Sequence, residues 1–229
     1  MKKVMWLVSL IPLVITGIAL GFLPDTVPMH YNAEGAIDRW GSKYENLLFP
    51  VIILALTLFW QLFIWGFEKK AAKAKNDKER TEALSNAKML HIVAISMALM
   101  YCVMQCFILY GAYVEANLGA THSVIDIAQI SCILLGVMFV VLGNFMPKIR
   151  ANGLVGFRIV WSMHNDVTWA KSNRFAGVAF IIVGLLTIIT AILVDSMLAT
   201  GLLVVYLVAS VVVATIYSYK IYKTQVEEK

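Results

Sequence analysis

Six apolar runs, at 4–23, 47–67, 89–112, 124–146, 175–194 and 197–219, alternate along the chain with short polar segments. Crossing the hydrocarbon core of a bilayer as an α-helix takes about 20 such residues, and each run meets that length. No run contains Lys or Arg. The pattern predicts an all-α polytopic integral membrane protein with six transmembrane helices, forming a single membrane domain over 1–229.

The cations between the runs give this architecture a direction. If the N-terminus is cytoplasmic, 17 of the 19 Lys and Arg residues lie inside and two, Arg39 and Lys43, lie outside. That asymmetry satisfies the positive-inside rule and places both termini in the cytoplasm. Segment 24–46 becomes an outer loop, and 68–88 and 147–174 become inner loops. Pro24 and Pro28 stop the first span, since each lacks a backbone donor and disfavours helix in the residue before it. The Ala-, Lys- and Glu-rich segment 68–88 extends the neighbouring spans into the cytoplasm as a charged helical hairpin. Segment 113–123, which holds Glu115, and Asp195-Ser196 are short outer connections. The first span outlasts the 7–15-residue apolar core of a cleavable signal and is expected to be retained.

Composition changes the picture only slightly. At 60% hydrophobic and 14% charged residues, the chain leaves no room for a separate soluble domain. The formal charge of +5 follows from basic inner loops lying against anionic lipid headgroups, so direct nucleic-acid binding is not expected. Cys102, Cys106 and Cys132 fall inside spans, where they read as buried small hydrophobes and not as a disulfide framework.

Ionisable groups within a span are functional candidates by default, and here they are few. Asp126 reads as a helix N-terminal anion and His91 as a headgroup-facing residue at the inner end of the third span. Gln61, Gln105 and Gln129 read as interhelical hydrogen-bonding groups. No Asp or Glu lies near a span centre, which counts against a proton-driven transporter. Apart from Gly17-x-x-x-Gly21 at the end of the first run, no Gly-x-x-x-Gly spacing occurs in the spans; no His-Glu-x-x-His motif, nucleophile elbow or phosphate loop occurs, and nothing calls for a cofactor.

Two connecting segments carry the remaining chemistry. In the outer loop, Asp25, His30, Glu34, Asp38 and Glu45 form a net anionic surface. His30 and Asp38 either order the loop around a turn at Asn32–Gly35 or, as a second reading, ligate a transition metal. A third use is to receive a cationic or amphipathic peptide. In the inner segment, Lys148, Arg150, Arg158, Lys171 and Arg174 alternate with Phe157, Trp161, Trp169 and Phe175. Such a mixture suits the headgroup layer. The Gly and Asn content (Gly143, Asn144, Asn152, Gly153, Gly156), together with Pro147, points further, to a folded docking surface. Asn165 or Asp166 is expected to cap a short helix leading into the fifth span.

Both segments resemble signatures of the SdpI family of bacterial membrane proteins. The outer loop is similar to the small domain of unknown function near the family's N-terminus, through Leu23, Pro24, Pro28, His30, Asn32, Gly35, Asp38 and Lys43. The inner one is similar to the SdpI signature, through Gly143-Asn144, Pro147-Lys148, Asn152, Gly156, Arg158, Trp161, Trp169, Arg174-Phe175 and Gly177. Family members typically read Thr-Pro before the inner Trp and Thr-His before Arg-Phe; this chain has Ile159-Val160 and Ser172-Asn173. The resemblance implies a non-enzymatic immunity or receptor protein of a bacterial cell membrane. It would protect against a secreted SdpC-like toxin peptide and, as in one branch, hold a cytoplasmic ArsR-like autorepressor (SdpR-like) at the membrane. The rival classes are a small-molecule or peptide transporter and a metal-dependent membrane enzyme using His30, Glu34 and Asp38.

Overall fold

The computed structural model describes residues 1–32, 34–151 and 154–227. Asn152 and Gly153 lie outside the described residues. Six helices long and apolar enough to cross a membrane follow in order: α1 (Lys2–Ala19), α2 (Leu48–Ala72), α3 (Asp77–Leu118), α4 (Ile127–Phe145), α5 (Asp166–Leu193) and α6 (Ser196–Glu227). Their outward faces are apolar: Leu7, Val14, Leu62, Ile192 and Val205 are each more than half exposed, as hydrocarbon-facing side chains should be. α1, α2 and α3 pack together, as do α4, α5 and α6, and α3 against α4 joins the two groups. One face of the bundle carries both chain termini (the terminal face). The opposite one carries a β-hairpin (the hairpin face).

Several segments differ from the sequence-based expectation. The outer loop contains a two-stranded antiparallel hairpin, β1 (Thr26–Tyr31) and β2 (Ile37–Ser42), followed by a 3₁₀ turn at Lys43–Leu47. Pro28 is compatible with a strand here because a two-stranded sheet has only edges. The long third helix absorbs much of two connections. Asn76 caps its start by accepting from the Glu79 amide (2.9 Å), and nothing stops it until Gly119, which takes a left-handed φ of 60°. Residues 113–118 are therefore helical, and Glu115 is a buried helix residue instead of a loop acid. Asn165 caps α5 itself, so the last nine residues assigned to the inner loop, 166–174, form its first turns. His91 is buried, with Nδ1 on the Ala87 carbonyl (2.9 Å), and does not face headgroups. Cys132 is buried, but Cys106 is exposed.

Polar side chains join the helices at a few points. Gln105 donates to Thr16 Oγ1 (2.8 Å) and the Asn46 carbonyl (3.3 Å), Gln129 donates to the Ala191 carbonyl (2.7 Å), and the Ser9 and Thr57 hydroxyls meet at 2.7 Å. Gln61 makes no such tie through its carbonyl oxygen. α4 and α5 approach each other backbone to backbone. There Gly136 faces Gly184 and Gly143 faces Gly177, so that a Cβ built on Gly143 would lie 2.5 Å from the Gly177 carbonyl oxygen. Seven-residue glycine spacing on each helix makes a continuous backbone-to-backbone seam.

Candidate functional site

The hairpin owes its shape to a few side chains near its turn. Asn32 Oδ1 accepts from the amides of Glu34 (3.1 Å) and Ala36 (2.8 Å), and Gly35 takes a φ of 77° that favours glycine. The strand pairing is irregular between Pro28 and Tyr31, and this irregularity sets His30 opposite Arg39. His30 Nδ1 lies 2.6 Å from Asp38 Oδ1, with both side chains largely in solvent. Arg39 pairs with Glu45 (3.0 Å) and Lys43 with Asp25 (3.0 Å). Ser42 and Glu45 close a capping box at the 3₁₀ turn. Four candidates of the outer loop, His30, Asn32, Gly35 and Asp38, thus share one hairpin. No group of three His, Cys, Asp or Glu side chains suited to a metal occurs among the described residues, and His30 and Asp38 remain a pair.

The hairpin is anchored to the bundle through residues that no local motif marks. The Tyr31 hydroxyl donates to Glu115 Oε2 (2.6 Å), and the Val124 amide donates to Glu115 Oε1 (2.7 Å). Burial, reinforced by the neighbouring carboxylate, holds the Tyr31 hydroxyl above its ordinary pKa. The α3–α4 connection adds backbone bonds from Ile37 to the Thr121 carbonyl and from Ser123 to the Gly35 carbonyl. Below, Leu23, Val27, Leu109 and Ala112 form an apolar cluster. Between β1, α3 and the start of α4 lies a cavity of about 220 Å³ with Glu115 in its lining.

On the terminal face, the inner segment folds back over α5. Trp169 is buried and donates from Nε1 to the Ile149 carbonyl (2.7 Å), packing with Met89 and Ile149. Asn173, also buried, accepts the Phe157 amide on Oδ1 (2.7 Å) and donates to the Trp169 carbonyl (3.1 Å). Gly156, at φ 114°, passes so close that a Cβ would lie 2.6 Å from that same Oδ1. The Ser162 hydroxyl accepts the Ile159 amide (3.0 Å) and donates to the Phe157 carbonyl (2.8 Å). Trp161 meets Tyr219 of α6 edge-on at 5.0 Å, and His164 meets Tyr222 at 4.9 Å. Gly156 and Trp169 are therefore brought together and Trp161 packs on α6, while Asn144, Pro147, Arg158 and Arg174 stay exposed at the surface of this element. Asn173 is legible in the sequence only as a departure from the family pattern, yet it tethers the element.

A domain of unknown function, DUF1648, matches residues 7–54, which span α1, the hairpin and the start of α2. The SdpI/YfhL protein family matches residues 148–218, from the folded inner element into α6. Over 203 residues the chain is 22% identical to the Immunity protein SdpI of Bacillus subtilis (strain 168), covering 88% of this chain and 86% of that protein. Together these likenesses support an SdpI-family protein. No solved structure matches it. With six apolar helices and this family, it is a multi-pass protein of the bacterial cell membrane.

Proposed function

We propose that this SdpI-family protein is a non-enzymatic immunity protein that protects a bacterium against a secreted membrane-active toxin peptide of the SdpC type. The observation that carries the reading is the likeness to Immunity protein SdpI, which runs over 88% of the chain and so includes both faces. The cation asymmetry supports an orientation with the hairpin face outside and the termini in the cytoplasm. The transporter reading calls for broken helices at mid-depth, and each of the six helices runs uninterrupted. The direct test is expression in a toxin-sensitive strain. Survival at toxin levels that kill the empty-vector strain is expected, and unchanged killing overturns the reading.

A cytoplasmic role is the second reading. The tethered inner element presents the exposed side chains of Arg158 and Arg174, a surface suited to an ArsR-like repressor. A headgroup strap needs only positive charge there, whereas docking through the planar guanidinium fork does not tolerate Arg158→Lys.

Orientation is open to a direct check. In a background lacking Cys102, Cys106 and Cys132, Glu34→Cys should react with an impermeant maleimide in intact cells, and Lys75→Cys only after lysis. The reverse labelling pattern would overturn the orientation.

The exposed His30–Asp38 pair gives a further prediction. His30→Ala and Asp38→Ala should sensitise cells to the toxin while the amount of protein in the membrane stays at the wild-type level. If the pair orders the hairpin, His30→Asn keeps part of the protection, because a short hydrogen-bonding side chain remains. If it ligates a metal, purified protein carries a stoichiometric ion that His30→Ala loses together with protection.

A further inference from the structure

The hairpin anchor contains a group that hairpin docking alone does not explain. Glu115 is only 1% exposed, yet no Lys, Arg or His forms an ion pair with it among the described residues. Its side chain receives two hydrogen bonds, from Tyr31 and Val124, whereas an ionised carboxylate offers about four acceptor positions. Acids this deeply buried are almost always paired with a cation. The carboxylate also lines the 220 Å³ cavity, whose other walls include Met29, Phe107, Ile125 and Ile127 together with the polar Tyr31 and Asn46. Gly111, one helical turn before Glu115 on α3, keeps the space beside the carboxylate open: a Cβ there would sit 3.6 Å from Glu115 Oε1.

We propose that this cavity is a binding site for an amphipathic cation, an ammonium or guanidinium carried next to an apolar side chain on a peptide. Size and charge select that occupant. An engineered protein cavity of about 150 Å³ holds one benzene ring, while drug-sized ligands take about 300 Å³ or more. The volume therefore suits one large side chain. An apolar group packs against walls such as Met29 and Phe107, and the cation meets Glu115. The surroundings point the same way. Segments 20–47, 113–126 and 194–196, all at the hairpin face, hold six acids besides Glu115 and two cations. Both cations, Arg39 and Lys43, are already engaged with acids of the hairpin. Such a surface draws cationic ligands toward the cavity mouth. The identity of the occupant as a segment of the toxin rests on the immunity reading; the site itself does not.

The test uses purified full-length protein in phosphatidylcholine nanodiscs, with 4-phenylbutylamine as probe and 4-phenylbutyrate as its anionic counterpart. Binding is read by saturation-transfer NMR against empty nanodiscs. A charge-assisted hydrogen bond in an apolar cavity should give about a tenfold preference or more for the amine. Glu115→Gln keeps the side-chain shape and can still accept from Tyr31, but should abolish that preference. Tyr31→Phe keeps the carboxylate and should bind the amine at least as well as wild type. Ile125→Trp fills the cavity and should exclude both probes while Glu115 is intact. Equal binding of the two probes to wild type, or an undiminished amine preference in Glu115→Gln, overturns the proposal. If wild-type protein protects cells but shows no amine preference, the site is wrong and the immunity reading stands. If the preference is present but cells are not protected, the immunity reading falls and the site stands.

Discussion

Gly143→Val is expected to remove most of the folded protein from the membrane. The α4–α5 seam leaves no slack at this point. The added Cβ would meet the Gly177 carbonyl oxygen at 2.5 Å and the Ile181 amide nitrogen at 3.0 Å. These are backbone atoms of a packed helix, so no rotamer change relieves the contact, and α4 must move away from α5 along the seam. That motion also opens the Gly136–Gly184 approach one seam layer away. Overpacking of a tight core costs about 1–3 kcal/mol where side chains can adjust, and the upper end or more applies here. For a chain of this size about 3 kcal/mol corresponds to a melting shift of about 10 °C, measurable by size-exclusion after heating in detergent. Gly66→Ala is the control: a Cβ added there would meet nothing within 4 Å, and alanine favours helix by about 1 kcal/mol. It should melt at or above wild type. If Gly143→Val melts with wild type, the seam is not a structural contact.

How much of this is legible in the sequence depends on the range of the interaction involved. The six helices are readable because 20-residue apolar runs report a property of the segment itself, its transfer to hydrocarbon. Helix ends are less so. Residues 113–118 read as part of a connection, yet the helix continues to Gly119 because no residue in between stops it. The hairpin is hidden by Pro24, just before it, and Pro28 within it, since proline marks turns as readily as edge strands. Glu115 cannot be found locally at all: its significance comes from Tyr31, 84 positions earlier, and from the cavity between them. The glycine seam escapes the Gly-x-x-x-Gly motif, which describes close spacing within one helix. Here the spacing is seven and the partner is the next helix. In the inner segment, the excess of Gly and Asn residues does signal a folded element. The residue that ties it down, Asn173, is visible only where the chain departs from its family.

That inner tie leads to the second large effect, Trp169→Ala. The ring of Trp169 is almost fully enclosed and packs in one apolar cluster with Met89 of α3 and Ile149, and its indole nitrogen donates to the Ile149 carbonyl. Truncating a buried Trp to Ala costs about 3–5 kcal/mol, and the loss falls on the inner element because that is what the ring holds. Trypsin supplies the readout in inside-out vesicles, since Lys148, Arg150 and Arg158 all lie in this element. Wild-type protein should be cut slowly there, and Trp169→Ala rapidly, with cleavage in the 68–88 connection as an internal standard. Asn173 separates loss of packing from loss of the tether. Asn173→Ala removes the acceptor for the Phe157 amide, a cost of about 1–3 kcal/mol, while leaving the Trp169 ring in place. Asn173→His restores an acceptor, because an imidazole nitrogen can take that amide proton, and His is the residue family members typically carry at this position. The expected order of trypsin resistance is therefore wild type and Asn173→His together, then Asn173→Ala, then Trp169→Ala. Asn173→His cut as fast as Asn173→Ala would mean that the tether depends on the Asn side chain itself and not on an acceptor at that point. In that case the Ser172-Asn173 departure would mark an inner surface built differently from that of the family.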